Sequence, residues 1–186
     1  MSPPFPRFPL ETPDVPFPFV QPDRGMEAKW LFDVPISKIE VVVHPQSVIH
    51  SMVEYGDGAV IAQLGTPDMR LQIQYALYYP ERRFRNSERL DFFSLATMTF
   101  ERPDEETFRG LYLAKKASLT GGSMPTVFNA ANELAVGKFL ERKIGYLDII
   151  DIIEYAMEAH KIIKNPKLEE ILQAEQETYE IIESRW

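Results

Sequence analysis

Residues 49–63 read IHSMVEYGDGAVIAQ, from Ile49 to Gln63, and this stretch decides how the first half of the chain folds. Two runs rich in β-branched and aromatic residues flank Gly56-Asp57-Gly58, where glycine supplies the positive φ that a hairpin turn needs. The expectation is a two-stranded ribbon. Downstream, Thr66 or Asp68 can cap a helix entered through Pro67; that helix carries Met69, Ile73, Ala76 and Leu77 and stops at Pro80. Upstream, Ile39-Glu40-Val41-Val42-Val43 is a β-branched run that reads as a strand, preceded by a short helix carrying Glu27, Trp30, Leu31 and Phe32. Ser94 to Phe100 reads as one further strand. Residues 25–100 therefore read as a small α/β sheet unit.

Beyond Glu101-Arg102-Pro103 the apolar period changes from two to about 3.6. Asp104 to Leu119 puts Phe108, Leu111 and Ala114 on one face, and Thr120-Gly121-Gly122 ends it. Met124 to Arg142 groups Val127, Ala131, Leu134 and Phe139. A third helix from Leu147 to about Ile162 carries a wide stripe of Ile149, Ile152, Ile153 and Ala156, which must be buried on most sides. Asn165-Pro166 reads as a cap and first-turn proline for a last helix with Leu168, Ile171, Leu172, Tyr179 and Ile182 on one side. The fold class expected is α+β, with the sheet unit followed by a C-terminal four-helix bundle over residues 101–186.

The first 24 residues differ in texture, holding 8 of the 15 prolines and 4 of the 12 phenylalanines. Such a stretch forms neither helix nor central strand, because each proline removes a backbone donor and restricts its predecessor. It reads as an extended or disordered arm; a polyproline ligand for an SH3-like or WW-like partner is the alternative. A net charge of −8 argues against nucleic-acid and anionic-membrane partners, which are bound through Lys and Arg excess. The absence of cysteine removes disulfides, thiolate catalysis and Cys-ligated metals, and suits a reducing cytosol. No signal-peptide pattern opens the chain, and no apolar run approaches the ~18 residues of a membrane span. The expectation is a cytoplasmic protein.

Candidate chemistry is sparse. His44 and His50 flank Pro45-Gln46-Ser47 after the expected strand, but as a metal pair they lack a third ligand and a recognised zinc spacing. A loop with His, Gln and Ser at a strand end is a reasonable binding edge, and His50 is its better candidate. Met69 reads either as a site residue or, as for most methionines, as core filling. Asn129, Asn132 and Glu133 in mid-helix read equally as a buried polar network or interface and as a solvated face. No Ser-His-Asp arrangement, phosphate-binding loop or dinucleotide fingerprint is present.

Three runs, IEVVVHPQSVIHSMVE at Ile39–Glu54, Pro67-Asp68-Met69-Arg70 and Asn129-Ala130-Ala131-Asn132-Glu133, in that order and spacing resemble 1-deoxy-D-xylulose 5-phosphate reductoisomerase, the enzyme that opens the methylerythritol phosphate route of isoprenoid biosynthesis. The resemblance covers about Gly25 to the C-terminus. It implies an NADPH-dependent enzyme of three parts: an N-terminal nucleotide domain, a central catalytic domain that also forms the dimer, and a C-terminal helical domain. It also implies a divalent cation, Mg, Mn or Co, on the substrate's oxygens. Residues 25–100 would be part of the catalytic and dimerisation domain, and Ser47, His50, Pro67 and Met69 would fall near substrate or nicotinamide.

The departures matter as much. Upstream of Glu27 the family carries Asn-Lys-Gly-Leu-Glu, whose Asn and Lys hold substrate and whose Glu binds metal; counted without gaps, Val20, Gln21, Pro22, Asp23 and Arg24 stand there. A cation in place of a carboxylate inverts what a hard divalent ion requires. The resemblance thus supplies this chain with no metal ligand and no catalytic residue, and with neither NADPH nor metal expected on the chain alone. The expectation is an inactive homodimeric part of such an enzyme, partnered by a missing N-terminal half; the alternative is a non-catalytic dimerisation or scaffold module that pairs with a full-length reductoisomerase.

Overall fold

A computed structural model describes residues 24–186, so the expectation for the Pro/Phe-rich arm lies outside the described residues. In chain order the elements are α1 (Arg24–Phe32), a 3-10 turn at Ile36–Lys38, β1 (Ile49–Glu54), β2 (Val60–Leu64), α2 (Met69–Tyr78), α3 (Phe92–Leu95), α4 (Arg109–Thr120), α5 (Met124–Leu140), α6 (Asp148–Ala159) and α7 (Leu168–Glu183). The fold is mixed α+β, and it divides into two compact units: residues 37–102, and residues 24–36 together with 103–186.

In the first unit β1 and β2 form the antiparallel ribbon, with Tyr55 and Ala59 closing the turn through a 2.8 Å backbone bond and Gly58 at φ 84°. Ile39–Val43 is not a strand. Only Val43 pairs, bridging Glu101 through reciprocal 2.9 Å bonds, because a β-branched run without a neighbouring ladder remains irregular. Ser94–Phe100 is not a strand either. Asp91 accepts from the Phe93 amide at 3.0 Å and from the Ser94 hydroxyl at 2.6 Å, and these local bonds wind Phe92–Leu95 into a single helical turn. The helix expected after Pro67 forms, but none of its residues is buried.

In the second unit Leu113, Val127, Ile152, Ile153 and Ile182 are nearly or fully inaccessible and belong to one core drawn from α4, α5, α6 and α7. Burying each such side chain contributes about 1.5–3 kcal/mol before the entropy of ordering the chain is subtracted. A fifth helix joins them: Met26 packs on this core, Ala28 is buried, and Lys29 donates to the Ser118 carbonyl at 3.1 Å.

Two helical stripes need correction. α4 begins five residues later than expected, because the Asp104 side chain accepts from the Glu106 and Thr107 amides and holds a turn there; Phe108, expected on the apolar face, is exposed. α7 starts at Leu168, not behind Asn165, with Glu170 accepting from the Lys167 amide at 2.8 Å. Its inner face is Ala174, Thr178 and Ile182, while Leu168 and Leu172 point outward. No helix among the described residues is long and apolar enough to cross a membrane.

Candidate functional site

The ribbon register carries the first clue. Ile49 pairs with Leu64 and Ser51 with Gln63, so His50 is an extra residue in a β-bulge. Bulges re-aim side chains, and here the imidazole turns to Gln63: Nδ1 lies 3.2 Å from Gln63 Oε1. The amide's other end donates to the Leu64 carbonyl at 2.9 Å, which fixes the oxygen toward the ring. His50 therefore donates from Nδ1, which leaves Nε2 outside this bond.

Ser47 sits in a left-handed turn at φ 51°, its amide donating to the His44 carbonyl at 2.9 Å. That turn is clamped from one side. His44 Nδ1 donates to the Thr99 carbonyl at 2.9 Å, the Thr99 amide donates to Gln46 Oε1 at 3.1 Å, and Gln46 Nε2 donates to the Thr99 hydroxyl at 2.9 Å. His44 is buried and stacked on Phe100 with centroids 4.8 Å apart, and its Nε2 has no hydrogen-bond partner. The two histidines thus have separate surroundings. Among the described residues no three His, Cys, Asp or Glu side chains converge as a metal site.

Pro67 and Met69 lie where β2 passes into α2. The Gly65 amide donates to the Val48 carbonyl at 2.9 Å, and a Cβ built on Gly65 would stand 3.9 Å from His50 Cε1 and 3.6 Å from Leu71 Cδ2. The loop of Ser47, the bulge of His50 and the first turn of α2 therefore share one corner of the unit. Asp68 caps α2 by accepting from the Arg70 amide at 3.0 Å, and it pairs with the Arg70 and Arg85 guanidinium groups. Those hydrogen bonds, Arg70's first, hold its carboxyl well below the usual carboxylate range. Asp68 is thus a fixed anion already neutralised by its neighbours. Met69 is 61% exposed, which removes its core-filling reading.

The Asn129–Glu133 run divides between its two readings. Asn129 and Glu133 are exposed and joined by a 3.1 Å bond, while Asn132 is half-buried. Glu133 acts on Tyr179 of α7, whose hydroxyl donates to Glu175 at 3.0 Å; burial first, then these carboxylates, push the phenol up to about 12.

His50, Ser47 and the exposed thioether of Met69 lie around one corner, and no activated nucleophile is among them. The family model described as the DXP reductoisomerase C-terminal domain matches residues 64–181. The chain belongs to this family. It is 64% identical over 161 residues to the 1-deoxy-D-xylulose 5-phosphate reductoisomerase of Lachnospira eligens, covering 87% of this chain and 42% of the relative. The same enzyme from Agathobacter rectalis is also 64% identical over 161 residues, with the same coverage. Among solved structures, the reductoisomerase of Zymomonas mobilis in complex with NADPH superposes with a TM-score of 0.78 at 44% identity, over 88% of this chain and 44% of that one. A DOX-P reductoisomerase with NADPH, fosmidomycin and magnesium gives 0.81 at 38% identity, over 88% and 43%.

The chain thus spans less than half the length of these reductoisomerases. Hard divalent ions take oxygen ligands, carboxylates foremost. Among the described residues no three His, Cys, Asp or Glu side chains come together to hold one, and Asp68, before the first turn of α2, is committed to two guanidinium groups. The elements that sequence reasoning missed here are the bulge, Gln63 and Thr99. A bulge has no residue signature in this ribbon, and Thr99 lies in the segment expected as a strand.

Proposed function

We propose that the chain serves as part of an NADPH- and divalent-metal-dependent 1-deoxy-D-xylulose 5-phosphate reductoisomerase, which forms 2-C-methyl-D-erythritol 4-phosphate for isoprenoid biosynthesis in the cytoplasm. The observation that carries this reading is the corner shared by Ser47, His50, Pro67 and Met69 in a chain of this family. On this reading those four residues approach substrate or nicotinamide, residues 25–100 belong to the catalytic and dimerisation part, and residues 101–186 form the helical domain. Metal ligands and the nucleotide domain come from sequence other than these 186 residues, so the chain alone does not oxidise NADPH with the substrate and Mg or Mn. Homodimerisation is supported by the ribbon, which has only two strands and two edges, and by exposed Ile73, Leu77 and Phe93.

The test is a chimera in which residues 26–186 replace the matching segment of the Lachnospira eligens enzyme. The chimera should reduce the substrate with NADPH, and His50→Ala should lower its kcat/KM by at least about tenfold, the scale of one lost hydrogen bond to a charged ligand. An active chimera indifferent to His50→Ala would remove the site from this proposal. Turnover by the 186-residue chain itself would remove the division of labour. Light scattering that gave a monomer mass at micromolar concentration would count against the dimer.

A further inference from the structure

The corner between α4 and α5 is closed on the connector between α6 and α7 by one serine. Ser123 stands at the N-cap of α5 and is completely buried, yet its hydroxyl makes no capping bond to the helix. It accepts instead from the Ile163 amide at 2.9 Å, and the Ser123 amide donates to the Ile163 carbonyl at 3.0 Å. The same Oγ lies 2.7 Å from Nε2 of His160, the residue that ends α6.

One arrangement satisfies every group: the Ile163 amide donates to Oγ, the hydroxyl donates its own proton to Nε2, and His160 is neutral with its proton on Nδ1. An imidazolium would turn Nε2 into a donor. The serine proton would then lose its acceptor at a site with no access to water, and an unsatisfied buried hydroxyl is costly. We propose that Ser123 and His160 form a pH-operated latch, in which protonation of His160 deprives the buried Ser123 hydroxyl of its acceptor and loosens the hold of that hydroxyl on the Ile163 amide.

The groups facing the ring compete. Ser123, on the α5 side, is uncharged; Glu177 of α7 and the C-terminal carbonyls of α6 favour the cation. Burial opposes them and is the largest influence, so the ring titrates below its ordinary value. A folded-state value below the unfolded one, ~6.5, means that the latch is fully closed above that pH and lost as pH falls through the folded value.

Nitrogen-15 spectra of the histidine rings and amide hydrogen exchange on the full chain test this. Near neutral pH, Nε2 of His160 should carry no proton. As His160 titrates, the protection factor of the Ile163 amide should fall roughly tenfold, the scale of one hydrogen bond, while that of the Ile153 amide stays constant. His160→Gln, whose side-chain oxygen accepts from Ser123 and does not titrate, should make Ile163 protection independent of pH over this range. A protonated Nε2 at neutral pH, unchanged Ile163 protection across the titration, or an acid loss that survives in His160→Gln would each overturn the latch. Ser123→Ala should mimic the open state at every pH; should that variant not fold, the wild-type and His160→Gln measurements decide alone.

Discussion

Gly122 lies against the backbone of Ile163 so closely that a Cβ built on it would stand 2.2 Å from the Ile163 carbonyl oxygen. That oxygen is held by the Ser123 amide, and Gly122 itself is at φ 58°, where an L side chain is disfavoured. Gly122→Ala therefore meets a steric and a conformational penalty together, and the obstacle is backbone, which cannot swing aside. The expected loss is about 2 kcal/mol or more, read as a lower urea midpoint by far-ultraviolet circular dichroism. A midpoint within about 0.5 kcal/mol of wild type would mean that the two corners do not approach as described.

The opposite sign is expected at the end of α5. Arg142 is exposed and sits at φ 60°, just past the helix; its amide bonds the Phe139 carbonyl at 2.9 Å and the Lys143 amide bonds the Lys138 carbonyl at 2.9 Å. This double bond pattern is the helix ending that glycine serves best. Arg142→Gly should raise stability by about 0.5–1 kcal/mol, the left-handed cost relieved less the added freedom of the unfolded chain. A lower melting temperature would show that the arginine side chain contributes more than its backbone costs.

Much of the ribbon was legible, because Gly56-Asp57-Gly58 sits between two strand-like runs and hairpin pairing is local. So was the buried stripe of α6, where Ile149, Ile152, Ile153 and Ala156 are all inside. Two irregular stretches were not legible for a common reason: Asp91 and Asp104 spend their carboxylates on nearby amides and override the propensity of the residues that follow. The attachment of α1 to Ser118 and the pairing of Ser123 with His160 are tertiary contacts, 89 and 37 residues apart in sequence, with no local pattern to announce them. The sequence offers Ser47, His50, Pro67 and Met69 as an expectation, and gives no sign of the bulge that turns His50.

The clamp on Thr99 gives a local prediction for that site. Gln46→Ala removes the side chain that bonds both the amide and the hydroxyl of Thr99. The Thr99 amide should then exchange roughly tenfold faster, the effect of about one net hydrogen bond. The Ala62 amide, in the ribbon, should keep its rate. An unchanged Thr99 rate would mean that His44 and the Val43–Glu101 bridge hold the turn without Gln46.

Tyr179 offers a titration. Its phenol, pushed up to about 12 by burial first and by Glu175 and Glu133 after it, should ionise well above the ordinary phenol value of ~10. A raised folded-state value means that the fold favours the neutral phenol, so this contribution to stability is intact below the ordinary value of ~10 and is lost as pH rises toward 12. Tyr179→Phe keeps the ring and should delete the phase of the alkaline absorbance titration that lies near 12. Persistence of that phase in the variant would assign it to another tyrosine and leave the α5–α7 contact unsupported.

The last prediction weighs the core of the second unit. Ile153 is 1% exposed and packs with Leu113, Val127, Ile152 and Ile182 in a cluster that four helices build together. Ile153→Val removes one methyl group and should cost about 1 kcal/mol, since the transfer term is small and the cavity slight. Ile153→Asp places a carboxylate there with no cation in the cluster, and the penalty, whether as buried charge or as forced protonation, exceeds about 4 kcal/mol. Domains of this size are stable by only about 5–15 kcal/mol. The valine variant should therefore melt cooperatively a few degrees lower, while the aspartate variant should lose most of its helical signal. If both variants melted alike, α6 would lie at the margin of the unit, and the core assigned to α4, α5, α6 and α7 would be wrong.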